Sequence, residues 1–195
     1  MRPPEKTLKE VTGWNLAVMH IGAPCCGMNA AVRSFTRNCI YSGNVPLGIH
    51  NGVDGLMAGE VEQLQWADVT GWVSEGGALL GTRRTLPEKV SNPTLHILRR
   101  CYSISPHQNY SAVAEQLARH KIQGLVVIGG FEAFHAVLQL HEQREKFKQF
   151  RIPMVSTTIT SLRKEVNIKN CDIFFGLFFF HTQCVLCDLI WIFEV

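Results

Sequence analysis

Leu16–Arg33 reads LAVMHIGAPCCGMNAAVR, and this stretch decides the fold. Leu16 to Ile21 is a short, mainly apolar run with the length of a buried strand. Gly22 and Pro24 break it. Gly27 opens a segment that reads as a helix to about Tyr41, with Gly43 as its C-terminal stop. A strand, a glycine-bearing turn and a helix start make an anion-binding corner. The first helical N–H groups have no carbonyl partners, and the helix dipole adds positive potential there. Arg33, about two turns into that helix, is placed to bring a guanidinium near the same mouth. Spacing alone leaves a second reading open, a merely structural strand-turn-helix. Gly22-x4-Gly27 lacks the Lys-Ser/Thr ending of a P-loop and does not match the dinucleotide fingerprint.

Working outward, Val45 to His50 reads as a second strand and Asn51-Gly52 as a turn. Gly52 to Gly59 reads as glycine-rich loop, and Val61 to Trp66 as a short strand. Tyr110 to Lys121 has a helical pattern, with Val113 and Leu117 on one face and Ser111 as N-cap. Leu125 to Ile128 is a buried strand ending in Gly129-Gly130. A helix follows with Phe134, Val137, Leu138 and His141 at three- and four-residue spacing. His135 and His141 read as helix-surface or helix-edge residues. Ile152 to Val155 opens the next strand. Strands alternating with helices predict an α/β fold with a parallel sheet.

A second glycine loop carries the remaining chemistry. Gly76, Gly77 and Gly81 let the backbone approach a ligand. Thr82 then offers a hydroxyl, and Arg83 and Arg84 offer guanidiniums, which make forked, charge-assisted hydrogen bonds to phosphate oxygens. The alternative is a solvated basic pair on a surface turn.

Four blocks, in order, resemble one half of a 6-phosphofructokinase. They are GAPCCGMNAAVR (Gly22–Arg33), YSGNVPLGIHNGVDG (Tyr41–Gly55), GGALLGTRRTLP (Gly76–Pro87) and IQGLVVIGGFEAF (Ile122–Phe134). The resemblance runs from about Leu16 to Pro87 and from Tyr110 to Val155. It implies a three-layer, mostly parallel, Rossmann-like sheet, incomplete in this chain. Eukaryotic enzymes of this family pair a catalytic half with a degenerate half that binds regulators. The catalytic loop reads Gly-Gly-Asp-Gly-Ser, whose Asp serves magnesium and ATP. Here it is Gly129-Gly130-Phe131-Glu132-Ala133, and a hard cation wants oxygen donors that Phe131 lacks. The resemblance therefore favours the regulatory half. Matched to the family's Gly-Thr-Lys-Arg, Arg84 falls on the arginine that contacts fructose 2,6-bisphosphate, and Arg83 replaces the lysine. The implied ligand set is Arg84, Arg83, Thr82, Gly22, Arg33, Gly129 and Gly130, for fructose 2,6-bisphosphate or fructose phosphates. No catalytic residue and no metal ligand is implied. ATP and Mg2+ belong to the full-length family, and other phosphofructokinase subunits are the implied protein partners.

Composition bounds the rest. The chain has 195 residues, 46% hydrophobic, with a formal charge of +3. No basic stripe interleaved with aromatics points to nucleic acid. Met1 to Glu10 is polar and lacks the apolar core of a signal peptide. Seven cysteines without a regular framework suit a reducing compartment and a cytoplasmic location.

The expected organisation is a linker at 1–13, a partial domain at 14–155 with an insertion at 90–109, and an unrelated apolar tail at 156–195. Arg2-Pro3-Pro4 resembles the linker that joins the family's two halves. His96, Cys101 and His107 in the insertion fit no closed zinc pattern. The tail runs Ile173–Phe180 and Leu189–Phe193 are too short to span a bilayer, and Asp188 interrupts the sequence. Cys184 and Cys187 form a single CxxC in no redox context. Val90-Ser91 and Val155-Ser156, where similarity ends, would also be spelled by splice-donor codons. Three functional expectations follow: an inactive phosphofructokinase fragment, a binding module that pairs with full-length enzyme, and an unstable mis-spliced product.

Overall fold

A computed structural model describes residues 13–89 and 106–158. The insertion between them, with His96 and Cys101, and the segment beyond Thr158, with the CxxC and both apolar runs, lie outside the described residues. So does the Arg2-Pro3-Pro4 segment.

The described elements are β1 (Asn15–Ile21), α1 (Met28–Tyr41), β2 (Val45–Ile49), α2 (Gly52–Ala58), β3 (Val61–Gln63), α3 (Pro106–Arg119), β4 (Ile122–Gly129), α4 (Phe131–Glu142) and β5 (Met154–Thr158). They build one sheet in the order β3-β2-β1-β4-β5. The strands β2, β1, β4 and β5 run parallel, and β3 closes one edge antiparallel. The fold is α/β and mostly parallel, as the alternation of elements predicts.

Strand alternation sorts β1 into two faces. Ala17, Met19 and Ile21 pack with Val53 and Leu56 of α2, Val113 and Leu117 of α3, and Ala133, Ala136 and Leu140 of α4. Leu16 and Val18 face the other way, against Met28, Val32, Phe35 and Cys39 of α1. Both faces of the sheet are therefore covered, which is why β1 and β4 read as nearly continuous apolar runs. Among the described residues no helix is long and apolar enough to cross a membrane.

Several elements differ from the sequence expectation. Gly52 to Ala58 is a helix rather than loop. Val53 and Leu56 are pulled onto the core, and Gly59, at φ 79°, ends the turn. Burial overrides the poor propensity of the glycines. The strand expected over Val61–Trp66 is confined to Val61–Gln63. The helix expected from Tyr110 starts at Pro106, so Ser111 lies inside it and is no N-cap. Proline suits a first helical turn, where its missing N–H has no partner to lose. Buried Asn109 then reaches the Glu88 carbonyl at 3.5 Å. The fourth strand begins at Ile122, earlier than Leu125.

Helix α4 buries a set other than the one its larger apolar residues mark out. Of the apolar residues spaced three and four apart, Phe134 and Leu138 are exposed and Val137 is only partly buried, while His141 is exposed as expected of a helix-surface residue. The core instead takes Ala133, Ala136 and Leu140, with Gln139 beside them. Alanines let the helix approach β4 and β5 closely. Gln139 is buried because its amide meets Glu88, donating to Oε2 at 3.2 Å and accepting from the Glu88 N–H at 3.3 Å.

Candidate anion-binding site

At the C-terminal ends of β1 and β4, four segments meet. Gly22 follows β1 at φ 117°, a backbone region that side chains rarely tolerate. Its N–H donates to the Arg83 carbonyl at 2.9 Å, and its own carbonyl accepts from Thr82 Oγ1 at 2.9 Å. A parallel bridge between Ile21 and Arg83 extends this junction. The second glycine loop is thus laced onto the end of β1. Gly130 lies on the other side: a Cβ on Gly22 would sit 3.6 Å from the Gly130 nitrogen and 3.3 Å from Glu132 Oε2.

The two arginines have different surroundings. Arg83 Nε lies 3.7 Å from Asp54 Oδ2, and Asp54 is nearly buried. Thr85 Oγ1 donates to the same oxygen at 2.8 Å. The charge of Arg83 is therefore partly committed to the protein. Arg84 is 71% exposed, and its Nε lies 3.9 Å from Glu132 Oε1. An exposed pair at that distance is worth under about 1 kcal/mol, so an anion competes for Arg84 at little cost. Gly22, Thr82, Arg83, Arg84 and Gly130 are brought together at this end of the sheet. Arg33 is not tied to them by any described hydrogen bond or ion pair. Its charge faces Arg37 instead, whose guanidinium stacks over Trp66 at 4.7 Å.

The N-terminus of α1 completes the corner. Gly27 holds the cap position at φ 93°, provides no side-chain cap, and no acidic residue follows in the first turn. No carboxylate of the helix's own first turn compensates its positive end. At the matching position on α4, the first side chain is Phe131, 75% exposed and without an oxygen donor. Glu132 comes next and faces Arg84. This pair does not suit a hard divalent cation. Among the described residues no group of three or more His, Cys, Asp or Glu side chains is placed to hold a metal.

Two residues of the site have no motif-level signature. Asp54, which anchors Arg83 and Thr85, sits in a stretch that reads as loop. Asn29, fully buried on α1, ties that helix to the second glycine loop. Its Nδ2 donates to the carbonyls of Glu75 at 3.0 Å and Gly76 at 3.2 Å, and its Oδ1 accepts from the Leu79 N–H at 2.7 Å. A buried asparagine within a helix's first turn is the one available signal, and its partners lie far along the chain. Asn29→Ala removes all three hydrogen bonds at once. We expect a loss of roughly 2 kcal/mol by urea denaturation. A midpoint equal to that of the unsubstituted chain would mean the loop does not depend on this amide.

A family model described as phosphofructokinase matches residues 15–176. The chain belongs to the phosphofructokinase family. It is 41% identical over 155 residues to ATP-dependent 6-phosphofructokinase 1 of Caenorhabditis elegans, covering 79% of this chain and 17% of that protein. It is 41% identical over 150 residues to the liver-type ATP-dependent 6-phosphofructokinase of Rattus norvegicus, covering 77% and 17%. Among solved structures, the T-state phosphofructokinase of Pichia pastoris superposes with a TM-score of 0.67 at 34% identity, over 80% of this chain and 16% of that one. The chain thus spans about a sixth of the length of these phosphofructokinases.

Proposed function

We propose that this phosphofructokinase chain is a sugar-bisphosphate-binding piece of the family's regulatory half, without kinase activity of its own. The observation that supports it most is the convergence of Arg84, Thr82, Gly22 and Gly130 at one sheet end, with Phe131 where a magnesium ligand would be required. Arg84 supplies the main charge, Arg83 a second one screened by Asp54, and Thr82 and the Gly130 corner fix the loop. Phosphoryl transfer needs metal ions, charge neutralisation and a positioned base, and the β4–α4 corner has Phe131 where the family's Asp would serve the metal, with the Glu132 carboxylate set against Arg84 instead. ATP and magnesium belong, in this reading, to the catalytic half of the whole enzyme, which converts fructose 6-phosphate in the cytoplasm. Fructose 2,6-bisphosphate is the proposed ligand, and phosphofructokinase subunits are the proposed protein partners.

Calorimetry with fructose 2,6-bisphosphate tests the reading. The chain should bind with measurable heat, and Arg84→Ala should weaken binding at least tenfold, the effect of about 1.4 kcal/mol, while a coupled assay with ATP, magnesium and fructose 6-phosphate stays blank. Equal heats from both proteins would remove Arg84 from the site. Turnover above background would remove the claim of inactivity.

A further inference from the structure

Helix α4 exposes its large apolar side chains. Phe131 is 75% exposed, Phe134 54% and Leu138 41%. Their spacing of three and four puts them on one stripe, about 10 Å long. His135 lies beside it, with its ring 6.1 Å from that of Phe131. The opposite face of the helix is satisfied by Ala133, Ala136 and Leu140. An exposed apolar stripe on a helix already packed to the sheet by its other face marks a docking surface.

The register of β5 says what lies nearest. Thr158 pairs with Gly129, the last residue of β4, and Phe131 follows two residues later. Paired strands stand about 4.8 Å apart. The chain beyond Thr158 therefore sets out from the Phe131 end of the stripe. Residues 159–172 then lead to Ile173–Phe180, IFFGLFFF, the most apolar run in the sequence. A generic random coil of that length reaches about 20 Å, which is longer than the stripe itself at about 10 Å. A short flexible tether gives a millimolar-scale effective concentration. A second copy at micromolar concentration cannot match that. The stripe and the run share one chemistry: phenylalanine and aliphatic side chains, with no charge on either.

We propose that the stripe Phe131-Phe134-Leu138 is an intramolecular docking site for this chain's own segment Ile173–Phe180. The segment buries the stripe in cis and keeps it from pairing with other molecules.

Photo-cross-linking of the full chain tests this. A benzoyl-phenylalanine replaces Phe134, and 14N- and 15N-labelled chains are mixed before irradiation. Tryptic mass spectrometry should link the 122–144 peptide to the peptide 170–195, with no isotope-mixed product. Replacing Phe178, Phe179 and Phe180 by serine should cut the yield about fivefold. The same probe at Val73, similarly exposed at 60% on the second glycine loop, should give little of this product. Isotope-mixed products would assign the stripe to a second copy and overturn the proposal. So would cross-links that avoid 170–195, a yield unchanged by the serine replacements, or equal yields from positions 134 and 73.

Discussion

Gly129→Ala is expected to abolish the cooperative fold, while Gly130→Ala next to it is expected to cost far less. Gly129 pairs with Ile21 at the end of the two central strands. A Cβ there would run into the Ile21 carbonyl oxygen and would stand 3.0 Å from the Ala133 Cβ. One neighbour is strand backbone, and the other is the first turn of α4. Neither can swing aside as a flexible side chain would. Relief requires β1 and β4 to separate or α4 to lift off the sheet, and either movement opens the core. The cost should be at least about 4 kcal/mol, the upper end for a single substitution. At Gly130 the nearest atom to a new Cβ is Glu132 Oε2 at 3.5 Å, the movable end of a side chain. That change should cost about 1 kcal/mol, the difference between glycine and alanine at a helix N-cap. Thermal unfolding followed by circular dichroism separates the two. Equal melting of both variants would mean that Ile21 and Gly129 do not approach as described.

Stability should also fall on acidification because of His20. This residue points from β1 toward α1 and is fully buried. Neither ring nitrogen has a hydrogen-bond partner of acceptable geometry. Burial lowers its pKa from 6.5 to about 4, and the nearby backbone of Gly81 and Met28 offsets this only in part. Between these two values the unfolded chain takes up a proton that the folded chain refuses. Stability is therefore complete above about pH 6.5 and declines as the pH falls toward 4, by about 1.4 kcal/mol per pH unit and about 3 kcal/mol in all. Denaturant midpoints measured from pH 7.5 to 4 give the slope. His20→Leu removes the titrating ring and leaves no polar atom unpaired, so it should flatten the curve while keeping the fold at neutral pH. A slope unchanged by that replacement would assign the acid sensitivity to other groups.

The legible parts of this molecule were local ones. The run Leu16–Ile21, the break at Gly22 and the helix from Gly27 could be read because strand length, turn residues and helix caps act within a few residues. The loop Gly81–Arg84 could be identified as a candidate because its residue types match one chemistry. The illegible parts depend on partners distant in sequence. Asn29 matters because Glu75, Gly76 and Leu79 fold over it. Asp54 matters because Arg83 and Thr85 reach it. The buried face of α4 was not legible because periodicity gives the spacing of apolar residues but not the gap they must fill. The close approach of α4 to the sheet admits alanine and leaves phenylalanine outside.

The amino-acid sequence by itself determined that this chain alternates strands and helices into a parallel sheet, that glycine turns follow its strands, and that two arginines stand in one of those turns. Only the tertiary structure decided which arginine stands more exposed, why Gly129 admits no side chain, and which side of α4 is dry. The physical reason is that backbone propensity and charge are properties of a residue and its close neighbours. Burial, ion pairing and steric clearance arise between segments, such as Ile21 and Arg83, that meet only when the sheet is assembled.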